Sequence, residues 1–369
     1  MDSTIRRALL HALAGVALAM SSVGCTEDEL PSYGRVRVVA VRANPPTGTP
    51  GQAVELALLN SHDIHGWGWT PESPPTQVAW LGGCHNPPGG EYYGCYPALR
   101  EAVSNYSAPL DATPDSVLAA YPGLVGLGDR FTFTVPSDII GASHQTGMSY
   151  VFFAACAGRL TPAPDITDAV PLACLGEHGE RLGRDAYDMG FATVPTVAGV
   201  SNANPVMTGL ELNGVPVPYS HLDGVESTLP QCENDADCAA LGDGRIEQAC
   251  ASADRAGHCI PVLQRCTSAH CSHYVLAPTI DLGSAEPNLL AAASDGSVPL
   301  EVLRLEVRGP WLWSEREFTR RGDGWSESFD VPVDPPSEIE DGDEAAIWLV
   351  LRDNRGGVTW LGWDFKVGG

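Results

Sequence analysis

Residues 345–367 read AAIWLVLRDNRGGVTWLGWDFKV. Two runs rich in Ile, Val, Leu, Trp and Phe flank Asp353-Asn354-Arg355-Gly356-Gly357. β-branched and aromatic residues suit a pleated, packed strand. Asn, Asp and Gly tolerate the backbone of a tight reversal. The stretch therefore predicts a β-hairpin, and strand pairing sets the reading of the rest. Upstream, VMTGLELNGVPVP from Val206, HYVLAPTIDL from His273, LEVLRLEVRG from Leu300 and WSESFDVPV from Trp325 extend the same strand set.

The N-terminal half shows the same punctuation. In RVRVVAVRANPPTGTPGQAVELALL, from Arg35, the residues Val36, Val38 and Ala40 alternate with Arg35, Arg37 and Val39. A Pro- and Gly-rich corner follows, then Val54, Leu56 and Leu58 alternate. A strand, a corner and a strand is how many immunoglobulin-like sandwiches open. TQVAWLGGC places Val78, Trp80 and Gly82 inward, with Trp80 as a core filler. RFTFTVP is an alternating strand stopped by proline. MSYVFFAACAG is apolar on both faces, as a central strand is. MGFATVPTV closes the set near Val197, and Ala98 to Tyr121 reads as a long loop with a helical turn. AGVSNANP, residues 198–205, is small, polar and turn-rich, and reads as a linker. The expected fold is all-β, with two immunoglobulin-like β-sandwich domains. The first spans 34–197. The second spans 198–369 and carries a disulfide-rich insertion at 228–271.

The bulk numbers agree with that class. Pro (30) and Gly (40) are frequent among the 369 residues, and both interrupt helices. Lys and Arg total 21 against 46 acids, a net charge of −25. Such a surface repels phosphate backbones, which excludes nucleic acid as a partner read through a basic patch. The acidity reads as solubility, with divalent-cation binding as the sharper alternative.

Arg6 and Arg7 precede an apolar run from Ala8 to Met20. That run is too short for a permanent span, which needs about 20 residues. It suits a secretory signal, residues 1–24. Ser22-Val23-Gly24-Cys25 follows and resembles the lipobox of bacterial lipoproteins. The resemblance implies a diacylglyceryl group on the Cys25 sulfur and cleavage before it. Val23 and Gly24 match the pattern, whereas Ser22 stands where Leu is usual. Residues 25–33 read as a polar tether. Thr26 rather than Asp after the cysteine tilts the anchor towards the outer membrane of a Gram-negative bacterium.

Cysteine parity points the same way. The chain has eleven cysteines, and setting Cys25 aside leaves ten that can pair. In an exported chain they read first as disulfides. Proximity suggests Cys84 with Cys95 and Cys156 with Cys174. Crossing pairs such as Cys84 with Cys156 are the alternative. Cys232, Cys238, Cys250, Cys259, Cys266 and Cys271 crowd the insertion, and six cysteines allow fifteen connectivities. Zinc at His270-Cys271-Ser272-His273 and calcium at CENDADC (232–238) are the metal alternatives. The first lacks a C-x-x-C, and the second lacks the Gly and terminal Glu of an EF-hand loop. No metal and no cofactor is expected.

Several of these segments together are similar to one family of surface lipoproteins typical of myxobacteria and related Gram-negative bacteria. They are VRVVAVRANPPTGTPGQAVEL, VAWLGGC with YYGCYPAL, YVFFAACAG, SNANPVMTGLELNG and WLVLRDNRGGVTWLGWDFKV. CENDADC resembles the Cys-x-x-Asp-x-Asp-Cys segments of that group's exported proteins. The resemblance implies export and anchoring and carries no activity with it.

No Gly-x-Ser-x-Gly, His-Glu-x-x-His, P-loop or dinucleotide fingerprint occurs. The expected role is a non-enzymatic structural or binding protein of the cell envelope. Its membrane contact is the lipid anchor, and its partner is a protein or a glycan. Two alternatives rest on HDIHGWGWTPE (62–72). His62, Asp63 and His65 would begin a metal-dependent enzyme site, and Trp67 and Trp69 would offer ring faces to a sugar.

Overall fold

The computed structural model describes residues 36–60, 76–86, 95, 97, 101, 124–140, 145–162, 172–219, 221–222, 229–239, 247–251, 257–267, 269–284, 288, 300, 302–309, 313–318, 327–330 and 342–368. Cys25, the signal and tether segments, and the His62–Glu72 loop with Asp63, His65, Trp67 and Trp69 lie outside the described residues.

The first nine strands are β1 (Val38–Asn44), β2 (Ala53–Asn60), β3 (Gln77–Asn86), β4 (Val125–Leu127), β5 (Arg130–Thr134), β6 (Thr146–Cys156), β7 (Arg159–Pro162), β8 (Leu172–Leu175) and β9 (Tyr187–Val197). They form one sheet in the order β1-β2-β5, a second in the order β4-β3-β6-β9, and the β7–β8 ribbon. In immunoglobulin lettering this is A-B-E against C′-C-F-G. Val54, Leu56, Phe131 and Phe133 from one sheet meet Val78, Trp80, Val151 and Phe153 from the other. Trp80 is 1% exposed. It stacks on Phe131 and meets Phe153 edge-on. Its indole N–H donates to the Gly128 carbonyl at 2.7 Å, so the buried polar atom is satisfied.

The remaining strands are β10 (Val206–Leu212), β11 (Val215–Pro216), β12 (His221–Leu222), β13 (Gln248–Cys250), β14 (Cys259–Gln264), β15 (His273–Asp281), β16 (Leu303–Arg308), β17 (Trp313–Phe318), β18 (Glu327–Asp330), β19 (Glu344–Asp353) and β20 (Val358–Gly368). One sheet runs β11-β10-β15-β18 and the other β13-β14-β20-β19-β16-β17, with β12 also on β20. Stripped of the insertion, this is again A-B-E against G-F-C-C′. The all-β reading holds: the chain carries two immunoglobulin-like sandwiches, and the second holds the disulfide-rich insertion.

Two bulges override simple alternation. Register shifts between Val38 and Ala40. Val36 and Ala43 therefore enter the first core while Ala40 faces the other way. The expectation that Val36, Val38 and Ala40 share a face fails at Ala40 for this reason. A second shift, between Leu81 and Cys84, contains Gly83 at φ +83°. It leaves Trp80 inward and turns His85 inward as well, beside Phe133.

Tyr33 to Gly369 form one compact unit. The outward face of β1 and β2 (Ala40, Ala57, Leu59) packs on the outward face of β19 and β20 (Ala346, Trp348, Val350, Val358, Trp360). Arg42 lies over the Trp360 ring, 5.5 Å from its centroid. This explains why AAIWLVL is apolar at every position: Ile347 and Leu349 fill their own sandwich core, and Trp348 and Val350 fill the junction. The linker is fastened too. Asn204 donates from Nδ2 to the Ala43 carbonyl at 2.9 Å, and its Oδ1 accepts from the Val358 N–H at 2.8 Å. Buried Asn202 donates to Asp353 Oδ2, while Asp353 Oδ1 accepts from the Arg355 and Gly357 N–H groups. A Cβ on Gly357 would fall 2.2 Å from Asp353 Oδ2, so the turn needs glycine there.

Candidate binding cleft beside the disulfide insertion

All ten body cysteines pair. Cys84 joins Cys95 and Cys156 joins Cys174, as proximity suggested. In the insertion Cys232 joins Cys250, Cys238 joins Cys259 and Cys266 joins Cys271. The first two of these interleave. Cys250 and Cys259 are cross-strand partners on β13 and β14, yet each bonds back to the segment around helix α1 (Asp235–Ala239). Cys238 and Cys259 are fully buried.

The acids of CENDADC serve this knot. Asp237 Oδ2 accepts from the Glu233 and Asn234 N–H groups, Asn234 Oδ1 accepts from Ala236, and Asp235 Oδ1 accepts from the Cys250 N–H at 2.8 Å. The carboxylates are spread over different backbone amides. Among the described residues the one group of three ligand atoms close enough for a single ion is Cys232, Cys238 and Cys259. Disulfide bonding consumes those sulfurs. Cys271 is likewise bonded, which takes the sulfur out of the His270–His273 zinc reading.

The insertion is more than a crosslinked loop. β14 pairs in parallel with β20, matching Val262 to Lys366 and Gln264 to Gly368. Leu263 thereby joins the main core of the second sandwich, and Ile260 forms a small core with Leu229 and Ala251. The polar composition of 228–271 conceals these few apolar residues, which the sheet edge gathers.

Between the knot and the sandwich lies a cleft of about 930 Å³. One wall is α1, with Asp235. A second is β13 and β14, with Gln248 and Gln264. A third is the Cys266–Cys271 loop and the start of β15, with His270, Ser272 and His273. The floor is closed where the Gln264 N–H donates to the Tyr274 hydroxyl at 2.7 Å. The third wall holds itself: Thr267 Oγ1 accepts from the His270 N–H, and the Thr267 N–H donates to the His270 carbonyl. Each wall thus carries a disulfide half: Cys238 on α1, Cys250 on β13 and Cys271 on the loop. The lining contains Asp235 and Glu247 and neither Lys nor Arg.

Sequence reasoning placed His270 and His273 together but missed Asn213, Glu247, Gln248 and Gln264. These residues come from separated segments, which the β13–β14 pairing, the Asn213–Val275 contact and the docking of β14 on β20 bring to one place. No local pattern announces such a pairing.

His85 Nδ1 lies 3.0 Å from Ser149 Oγ. Burial lowers the His85 pKa below its ordinary value, and the Asp138 carboxylate partly opposes that shift. Ser149 is fully buried on β6. A smaller groove of about 330 Å³ runs between the β1 and β9 edges, bordered by Arg352 and Val358. No helix among the described residues is long and apolar enough to cross a membrane.

No protein-family model and no curated protein matches the chain. Among solved structures it is similar to trypsin-activated alpha-2-macroglobulin from Escherichia coli, at 12% identity and a TM-score of 0.19. It is also similar to the native conformation of the E. coli protein (11%, 0.16) and to Salmonella alpha-2-macroglobulin reacted with methylamine (9%, 0.18). Each alignment covers 93% of this chain, which spans 17%, 16% and 17% of the lengths of those proteins. TM-scores this low fix neither a common topology nor a common function.

Proposed function

We propose that this chain is a lipoprotein of the bacterial cell envelope, exported by residues 1–24 and held at the outer membrane by acyl chains on Cys25. Its body is a non-enzymatic binding module, and its contact surface is the cleft beside the insertion. The observation that carries the anchor is the cysteine count. Five disulfides consume ten of eleven cysteines, and Cys25 is the one left over. Its position after an apolar run and two small residues suits acylation, and two or more chains hold a protein stably where one does not. The binding role rests on three crosslinked walls around an open cleft, since rigid walls lower the cost of ordering a partner. Growth with a labelled fatty acid tests the anchor. Label and membrane fractionation are expected with the native chain and lost in Cys25→Ala. An unlabelled native chain sinks the reading.

A further inference from the structure

We infer that the cleft between the disulfide knot and the second sandwich takes a neutral, polyhydroxylated ligand: a short segment of an uncharged glycan. The inference rests on the binding-module reading above and names its ligand class. The cleft volume of about 930 Å³ is at the upper end of sites for compact ligands and has room for several sugar rings.

The lining decides the chemistry by what it offers and what it lacks. It has no Lys or Arg and includes two carboxylates. A phosphate, sulfate or carboxylate ligand would therefore be repelled, and the net charge of −25 adds to that repulsion. The apolar contribution comes from small surfaces such as Val262 and Ala236. Interspersed with polar groups, these surfaces suit the C–H face of a sugar ring. The rest is a mixed set of hydrogen-bonding groups. Asn213 has its Oδ1 occupied by the Val275 N–H, so what it can offer is its NH₂. Asp235 has Oδ1 occupied by the Cys250 N–H and can offer Oδ2. Gln248 can offer both a donor and an acceptor, and Glu247 two acceptors. Hydroxyls both donate and accept, and adjacent hydroxyls match a carboxylate or amide in pairs. Among the described residues of the cleft, no three His, Asp or Glu ligand atoms come close enough to share one metal ion.

The test uses the full chain, purified from the envelope in detergent. Titration calorimetry is run with glucose- and N-acetylglucosamine-based hexasaccharides. A sulfated oligosaccharide, spermidine and calcium chloride are the comparators. At least one neutral hexasaccharide is expected to bind, with Kd rising about tenfold or more in Glu247→Ala and in Gln248→Ala. Glu55→Ala, on the first sandwich, is expected to leave Kd unchanged. Because a cleft variant can lose its fold, the native chain is also followed by NMR. Sugar addition should move the His270 and His273 ring signals. Absence of any neutral-sugar binding overturns the inference. So does binding that leaves the His270 and His273 signals in place, or spermidine or calcium occupying the cleft instead. Capture of an envelope protein that Glu247→Ala releases would overturn the glycan and keep the binding module. Cys25 acylation is read separately from all of these.

Discussion

The two sandwiches share one strand order, A-B-E against G-F-C-C′, and differ in where the chain departs from it. In the first, the A–B connection is residues 45–52, and among the described residues the departure lies between F and G, where the β7–β8 ribbon hangs from Cys156–Cys174. In the second, F and G close through the tight turn at 354–357, and the departure lies between A and B, from Asn213 to Ser272. Each excursion is stapled by disulfides, while the shared frame is held by burial. Their core tryptophans differ as well: Trp80 sits on strand C of the first, whereas Trp363 sits on strand G of the second. The lesson is a division of labour. The frame is specified by alternating apolar residues, and the ornaments are specified by crosslinks.

The largest effects should come from the frame. Trp363→Ala empties a fully buried site and is expected to cost about 3–5 kcal/mol, and Trp80→Ala the same. Denaturant unfolding followed by fluorescence and circular dichroism reads the loss. Because an apolar layer joins the sandwiches, either substitution should lower one shared transition. Two separable transitions would show the frames to be independent.

An ornament should behave differently. Removing Cys238–Cys259 as a double alanine variant is expected to cost about 2–4 kcal/mol. The loss should be confined to the insertion. Hydrogen exchange should accelerate over 229–264 while β16 and β19 keep their protection. Global unfolding of β19 in that variant would mean that the knot, rather than burial, supports the frame.

The frame was legible because its strands either alternate or, where both faces are covered, run apolar throughout. The hairpin of β19 and β20, the inward Trp80 and the two-sided β6 all follow from local pattern. What escaped was nonlocal or one residue out of step. The bulge after Val38 sends Ala40 to the junction, and Gly83 turns His85 inward. A single inserted residue changes parity without altering composition. The cleft escaped for a different reason. Its walls are set by disulfide choice and by contacts between distant segments, such as the parallel β14–β20 pairing, none of which leaves a periodic trace.

The seam between the frames allows a finer test. Asn204→Ala removes hydrogen bonds to Ala43 and Val358 together and should cost about 1–3 kcal/mol. Asn204→Asp, which keeps an acceptor for Val358 but loses the donor to Ala43, should fall between it and the native chain.

The smallest effect is a pH dependence particular to the first sandwich. Unfolded His85 takes up a proton near pH 6.5, whereas the folded ring, its pKa lowered by burial, resists. The unfolded state then binds more protons, so stability falls as pH drops through 6.5 and levels off below the folded pKa. His85→Gln should flatten that slope in denaturant titrations between pH 8 and 5. An unchanged slope would show that His85 does not carry it.

β20 has a consequence for biogenesis. It is made after every other described strand, yet it lies inside its sheet, with β19 on one side and β14 and β12 on the other. The cysteines of the insertion are therefore synthesised before their docking edge exists. Until β20 arrives, β14 has no parallel partner and Leu263 has no core to enter. Oxidation at that stage would draw on an unseated set of thiols. The order of synthesis thus becomes part of how the correct bridges are selected.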